Sequence, residues 1–308
     1  MLLETGFAIL IGWVAGIIVN ILADDLPLRR AIRTPRYVPD AKKRAIHIPL
    51  KNDSGEDITA EFVQADDEKR PLIAWSGILA FVFKKRLSPS GEVTLNWRYP
   101  ITELFTIFLM WIAMFAIYQM NINPKIRDVD FIQGTFWLTY MLIFATIVVI
   151  DIEHKLILFV VIIPSSMLAL ADSILTGFPP TLIDAIAGAI MGFVVFFILY
   201  NGGFIFTYIM GSLRGEPIDE VAFGYGDVMM AMLSGFILGW QSLIFAMFLT
   251  VFLGAFGAVI FLLFKSITRS KYSAFTAIPY GPYIVAGTII ILFFRVQLAP
   301  LLGNRGLL

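Results

Sequence analysis

The stretch Phe223-Gly224-Tyr225-Gly226-Asp227-Val228 places an aspartate between a glycine-containing loop and a long apolar run. Ionisable side chains are costly at membrane depth, so they usually mark a reaction centre or a transport pathway and have a partner elsewhere in the chain. The best partner is Asp151, which ends another apolar segment in Ile150-Asp151-Ile152-Glu153-His154-Lys155. We therefore predict that Asp151 and Asp227 form an acid pair in a membrane.

The composition supports a membrane setting. Of the 308 residues, 58% are hydrophobic and only 15% are charged, and the mean hydropathy is +0.83. Soluble domains carry roughly 25% charged residues, so this balance indicates a polytopic membrane protein whose main partner is the lipid bilayer. The formal net charge of zero argues against a nucleic-acid partner. The chain has no cysteine and only two histidines, so we predict no disulfide, no thiolate zinc site and no other metal centre.

A membrane-spanning helix needs about 20 mostly apolar residues. Runs of this kind lie near residues 5–23, 103–121, 133–150, 156–177, 183–210, 228–245, 243–264 and 281–298. The sixth and seventh runs are nearly continuous, so we expect a tight turn around Trp240-Gln241-Ser242 to separate them. We expect the first run to be a retained anchor, since it has neither a basic start nor a cleavage site of small residues. The predicted fold is all-α, with about eight transmembrane helices.

One soluble-looking region, residues 28–98, follows the first predicted helix. Polar and apolar residues alternate at 92–97 and at 58–62, as they do in half-buried strands. We therefore predict a small β-containing insert, and a chain divided into a first transmembrane helix (1–27), the insert (28–98) and a seven-helix membrane domain (99–308).

The distribution of basic residues predicts the orientation in the membrane. Residues 24–102 contain fourteen lysines and arginines, beginning just past the first span. Because such clusters stay on the cytoplasmic side, the N-terminus should lie outside and the insert inside. With eight spans, both Asp151 and Asp227 then fall at the cytoplasmic face.

Two adjacent carboxyl groups are suited to hydrolysing a peptide bond. When they lie within hydrogen-bond distance they cannot both ionise cheaply, so they share one proton and titrate as a unit. Gly224 and Gly226 would let a substrate backbone approach Asp227 closely. The simpler interpretations are that Asp227 only caps a helix and that Asp151 is only an interfacial charge at a helix end.

Five short motifs occur in a fixed order along the chain. They are Gly12, Gly16 and Asn20 with Leu26-Pro27; Trp97-Arg98-Tyr99-Pro100 with Glu103-Leu104; Ile150-Asp151-Ile152-Glu153-His154-Lys155-Leu156-Ile157; Gly224-Tyr225-Gly226-Asp227-Val228; and Ile278-Pro279-Tyr280-Gly281-Pro282-Tyr283. Together they resemble the motifs of the type IV prepilin peptidases, the Gly-x-Gly-Asp membrane aspartyl proteases. The resemblance runs nearly from end to end.

The resemblance implies a protease of the bacterial inner membrane, with its active site facing the cytoplasm. Its substrates would be prepilins or pseudopilins, from which it removes a short basic leader at a Gly–Phe-type junction. Asp151 and Asp227 would be the catalytic acids. The residues implied to bind substrate or to shape the loop are Gly224, Gly226, Glu153, Pro279 and Gly281.

Many members of that family also methylate the new N-terminus with S-adenosylmethionine, and the resemblance implies a methyl-transfer region at Arg98, Tyr99, Pro100 and Glu103. Proteolysis itself would need no cofactor.

The chain departs from the family in three ways. The four zinc-binding cysteines of the first loop are absent, so no zinc is expected and methyl transfer stays open. Leu158 and Phe159 replace Pro-Asp or Pro-Asn, and Met229 replaces a lysine.

Two other classes of function remain as alternatives. An ion-coupled transporter could use intramembrane acids as a proton relay, and it would show inverted repeats and well-separated carboxylates. A divergent binding protein could keep the fold without turnover. The sequence does not indicate an oligomeric state.

Overall fold

The computed structural model describes residues 2–37, 68–91, 93–123, 128–214, 224–267 and 279–298. These residues form eight α-helices, a short 3-10 helix and one small sheet. The helices are α1 (Leu2–Asp25), α2 (Gly77–Val82), α3 (Arg98–Asn121), α4 (Phe131–His154), α5 (Phe159–Leu175), α6 (Leu182–Arg214), α7 (Tyr225–Ile267) and α8 (Gly281–Leu298). The 3-10 helix is Leu72–Trp75, and the strands are β1 (Arg36–Tyr37) and β2 (Glu68–Lys69).

Five of the described helices are long and apolar enough to cross a membrane, and they lie within α1, α3, α4, α6 and α7. Two further apolar helices, α5 and α8, are shorter. The prediction of an all-α polytopic membrane protein is therefore confirmed. Each apolar run of the sequence coincides with one of these helices, because only helices satisfy their backbone groups internally in lipid.

The sixth and seventh predicted runs form a single element, α7, with a break inside it. The break is at Gly239 (φ 73°, ψ 166°), one residue before the predicted turn at Trp240-Gln241-Ser242. A Cβ at Gly239 would lie 2.8 Å from the Pro180 side chain. Both the positive φ and this close approach require glycine, so tertiary packing sets the position of the break.

The chain divides into two compact units, residues 1–114 and 115–308. In the first unit, α1 and the start of α3 pack at backbone distance along Gly12 and Gly16. A Cβ at Gly12 would lie 2.5 Å from the α3 backbone, and one at Gly16 would lie 2.6 Å from the Glu103 Cα. One turn further along α1, the Asn20 side chain donates to the carbonyl of Tyr99 (3.1 Å). Small residues spaced by four thus let two membrane helices meet closely.

The rest of the first unit has a small core of its own, formed by Tyr37, Ala74, Ala80, Leu95 and Tyr99. Among its described residues, the β structure is the antiparallel pair β1–β2 and one isolated bridge between Leu87 and Thr94. Of the predicted strand at 92–97, Thr94 forms the isolated bridge. The predicted strand at 58–62 lies outside the described residues. The predicted three-part division of the chain stays a prediction.

In the second unit, α6 and α7 pack through glycines. A Cβ on Gly188, Gly192 or Gly235 would overlap the backbone of the neighbouring helix, so larger residues would force these helices apart. Between α7 and α8, the Thr288 hydroxyl donates to the hydroxyl of Ser234 (2.8 Å). These contacts fix the helices whose ends carry the candidate site.

Candidate active site

Asp227 lies in the first turn of α7, and the glycine loop ends directly before it. Its Oδ2 accepts a hydrogen bond from the Gly224 backbone N–H (3.1 Å), while its own N–H donates to the Gly224 carbonyl (3.1 Å). This pairing between a side chain and the residue before the helix is a capping arrangement, and the positive end of the helix dipole favours a carboxylate there. Asp227 therefore does cap the helix. Its side chain is also buried (8% exposed), which capping alone does not require.

Asp151 lies in the last turn of α4. The helix ends because Lys155 adopts a left-handed conformation (φ 54°, ψ 38°) and its N–H donates to the Asp151 carbonyl (2.8 Å). A carboxylate at this negative end of a helix dipole is unfavourably placed. Asp151 is nevertheless buried (5% exposed), and its Oδ2 has no hydrogen-bond partner among the described residues. A buried acid with no structural partner for one oxygen calls for a functional explanation.

Three segments that are far apart in sequence meet at these acids. The carboxyls of Asp151 and Asp227 are close enough to interact electrostatically. The backbone N–H of Gly281, at the start of α8, donates to the Asp151 carboxyl, and a Cβ there would lie 2.5 Å from Oδ2. The side chain of Ile157 fills the space between two glycines: a Cβ on Gly226 would lie 2.8 Å from it, and one on Gly281 3.4 Å from it.

The ends of α4, α7 and α8 therefore form one buried acidic site. The structure brings together Asp151, Asp227, Gly224, Gly226 and Gly281. Their roles in a reaction stay a prediction.

The other two residues predicted for this site lie beside it in the chain. Pro279 is half-buried and comes two residues before Gly281. Glu153 lies in the last turn of α4, where its Oε2 is 3.9 Å from the Nε2 of His154.

Two residues of the site were missed by sequence reasoning. Ile157 was considered only as part of a motif, because steric clearance to glycines is visible only in three dimensions. Tyr280 was also only quoted within a motif. Burial raises the pKa of Tyr280, and the negative charge of Asp227 raises it further. The phenol therefore keeps its proton at neutral pH.

The residues of the implied methyl-transfer region belong to the first unit, where they bond to one another and to the surrounding protein. The Tyr99 hydroxyl donates to Asp24 (3.0 Å), and the Arg98 guanidinium lies 2.6 Å from the other oxygen of Asp24. Pro100 is buried in the first turn of α3.

Glu103 is fully buried and accepts from four donors. They are the Ser76 hydroxyl, the backbone N–H groups of Gly77 and Ile78, and the Asn20 amide. Two of these donors are the first N–H groups of α2, so Glu103 caps that helix. A carboxylate with four donors has no acceptor site left. Glu103 therefore does not fit as a ligand for S-adenosylmethionine.

Metal binding was also considered. Within the ranges that the structure describes, no group of three or more histidine, cysteine, aspartate or glutamate side chains could hold a metal ion.

Comparison with known proteins gives a consistent result. A family model described as the type IV leader peptidase family matches residues 136–259, which include both acids. Proteins named prepilin leader peptidase/N-methyltransferase from Aeromonas salmonicida (strain A449) and Aeromonas hydrophila are each 27% identical over 227 residues, or 73% of this chain. The alignments cover 66% and 67% of those proteins, so the chain spans about two thirds of their length. No solved structure matches. The chain is thus similar to the type IV leader peptidase family over residues 136–259, and to proteins named prepilin leader peptidase/N-methyltransferase over 227 residues.

Proposed function

We propose that this chain is a membrane aspartyl endopeptidase in which Asp151 and Asp227 are the catalytic acids. The observation that carries the proposal is that two buried carboxyls, from the end of α4 and the start of α7, meet around Gly281 and Ile157 within electrostatic range, with Oδ2 of Asp151 unpaired. Both acids fall within the segment that the leader peptidase family model matches. An ion-coupled transporter would keep such acids apart along a pathway, so this arrangement favours hydrolysis.

The proposed chemistry needs only the two acids and a water molecule. The carboxyls hold one proton between them. The ionised carboxylate takes a proton from water, whose oxygen bonds to the carbon of the scissile carbonyl, while the protonated carboxyl gives its proton to the carbonyl oxygen. When the tetrahedral intermediate collapses, the C–N bond breaks and the amine nitrogen takes a proton from the acid pair. One hydroxyl of the intermediate returns a proton to the pair as the new carboxyl group forms. The pair is then ready for another cycle.

The substrate we propose is a prepilin or pseudopilin. The two relatives carry prepilin leader peptidase in their names, and a short basic leader would be attracted to an acidic site. The cluster of basic residues after α1 supports a cytoplasmic orientation of this site in the bacterial inner membrane. The exposed Gly224 and the half-buried Gly226 leave the main chain near Asp227 accessible to an extended substrate segment.

The relatives' name also includes N-methyltransferase, an activity that would use S-adenosylmethionine as methyl donor. In this chain the polar groups of Arg98, Tyr99 and Glu103 bond within the first unit. We therefore assign them a structural role and derive no methyl-transfer step through them.

The experiment is leader removal from a purified pilin-like precursor by the chain in lipid nanodiscs. We expect Asp151→Asn and Asp227→Asn each to lower the cleavage rate by at least about 10³-fold, since the residues of such a catalytic unit depend on one another. Asp130→Asn is the matched control. Asp130 caps the opposite end of α4 by accepting from the Gln133 N–H (2.8 Å), and asparagine caps helices equally well. Processing at the wild-type rate by either site variant would contradict the proposal.

A further inference from the structure

An open groove with basic and aromatic walls lies in the first unit. It has a volume of about 680 Å³ and is lined by Phe81, Val82, Lys84, Arg86, Leu87, Thr94 and Trp97. We call it the basic–aromatic groove. No acidic residue is among its described lining residues.

One positive charge of the groove, that of Arg86, is held by aromatic rings. The rings of Phe81 and Trp97 lie 4.6 Å apart at 57°. The Arg86 guanidinium carbon is 4.2 Å from the Phe81 ring centre and 6.0 Å from that of Trp97, both within the range of cation–π attraction. Lys84 is exposed at the rim. The groove therefore presents one positive charge packed against aromatic rings, Arg86, beside an exposed one, Lys84.

Large apolar side chains beside these charges are left uncovered. Val82 is 66% exposed, Leu87 53% and Trp97 64%. Grouped apolar surface of this kind marks an interaction site, whereas scattered exposed residues do not.

The position of Trp97 indicates what covers the groove. Trp97 directly precedes α3, which has 24 residues. Such a helix is about 36 Å long, and the hydrocarbon core is about 30 Å thick. The first residue of α3 therefore lies at the boundary between hydrocarbon and headgroups. Tryptophan and basic residues are enriched at that depth.

We propose that the basic–aromatic groove docks into the headgroup layer of the bilayer and binds anionic phospholipid there. Val82, Leu87 and Trp97 would contact the upper acyl chains, and Lys84 and Arg86 would contact the phosphates. Each basic side chain near an anionic surface strengthens such docking about fivefold. The proposal concerns the first unit alone and does not depend on the proposed peptidase activity.

The test uses the absence of cysteine from the natural sequence. Single cysteines at Val82→Cys and Leu87→Cys carry an environment-sensitive fluorophore in nanodiscs of phosphatidylcholine with or without phosphatidylglycerol. Pro89→Cys, at an exposed turn off the groove, is the control position. With phosphatidylglycerol, the groove labels should be quenched by spin-labelled lipid and protected from aqueous iodide, whereas the control label should show the opposite behaviour.

A second comparison tests the role of charge. Adding Lys84→Gln to the Leu87→Cys chain should lower the ratio of protected to unprotected label about fivefold in anionic discs and leave it unchanged in neutral discs. Lys69→Gln, which removes an exposed charge outside the groove, should have no effect. Equal iodide quenching at all three label positions would overturn the proposal. Protection from iodide without quenching by spin-labelled lipid would also overturn it, since a protein partner or a second copy would then cover the groove.

Discussion

Replacing Gly281 by alanine should displace Asp151, one of the two proposed catalytic acids, while leaving the fold intact. The added Cβ would lie 2.5 Å from Oδ2 of Asp151, whereas unbonded heavy atoms pack at about 3.5 Å. The two groups must therefore separate by roughly 1 Å. The oxygen is at the end of a rotatable side chain, so the carboxyl moves and the backbone of α8 does not.

The magnitudes follow from this displacement. Misplacing a reacting group by about 1 Å costs about 10²-fold in rate, which corresponds to about 2.7 kcal/mol in the transition state. Alanine also favours the helical backbone over glycine by up to about 1 kcal/mol. The free energy of unfolding of Gly281→Ala should therefore stay within about 1 kcal/mol of the parent.

The assay combines kcat/KM for leader cleavage with thermal unfolding in the same nanodiscs. Gly202→Ala is the control, since a Cβ on this glycine of α6 would meet nothing within 4 Å, and it should preserve both quantities. A Gly281→Ala variant with wild-type kcat/KM would refute the reasoning, because Asp151 would then act without the clearance that the glycine provides. Loss of folding would refute it as well.

Three further outcomes follow from the packing. Glu103→Gln should lower the free energy of unfolding by about 3 kcal/mol, because an amide cannot accept from all four donors of the carboxylate; chemical denaturation followed by circular dichroism measures it. Thr288→Val removes the hydrogen bond to Ser234 and should cost about 1 kcal/mol in the same assay. Gly192→Leu overlaps the backbone of α7 and should cost at least about 3 kcal/mol, seen as lost yield of folded protein, whereas Gly202→Leu should be tolerated.

The helices were predictable because a backbone in lipid must satisfy its own hydrogen-bonding groups. Apolar runs of membrane-crossing length must be helical, and hydropathy finds them. The break in α7 was misplaced by one residue, because hydropathy cannot show which residue turns. The break falls at Gly239, where a Cβ would lie 2.8 Å from the Pro180 side chain. These two residues are distant in sequence, so hydropathy does not reveal their approach. Among the described residues of the first unit, the alternation at 92–97 also did not reveal its partner, since the isolated bridge between Leu87 and Thr94 depends on the fold.

The acids of the site were predictable for a different reason. Asp151 and Asp227 are conspicuous because a carboxylate in an apolar run needs an explanation. Ile157 is not conspicuous, since an isoleucine in an apolar protein carries no such signal. Only the distances from its side chain to the Cβ positions of Gly226 and Gly281 reveal that it fills the space between the starts of α7 and α8. The sequence thus identifies residues whose charge is costly to place in an apolar run, and it overlooks residues such as Ile157 that act by filling space.

The structure also changes how the simpler interpretation of Asp227 should be judged. Asp227 caps α7 through the N–H of Gly224, and it lies beside Asp151 as well, so capping and catalysis are not alternatives. The cap orients one carboxylate oxygen and anchors the acid to the positive end of a helix. Asparagine keeps an acceptor for the same N–H but cannot ionise. Asp227→Asn therefore separates the two roles: a residue that only caps would keep both stability and cleavage, whereas an acid that is also catalytic keeps stability and loses cleavage.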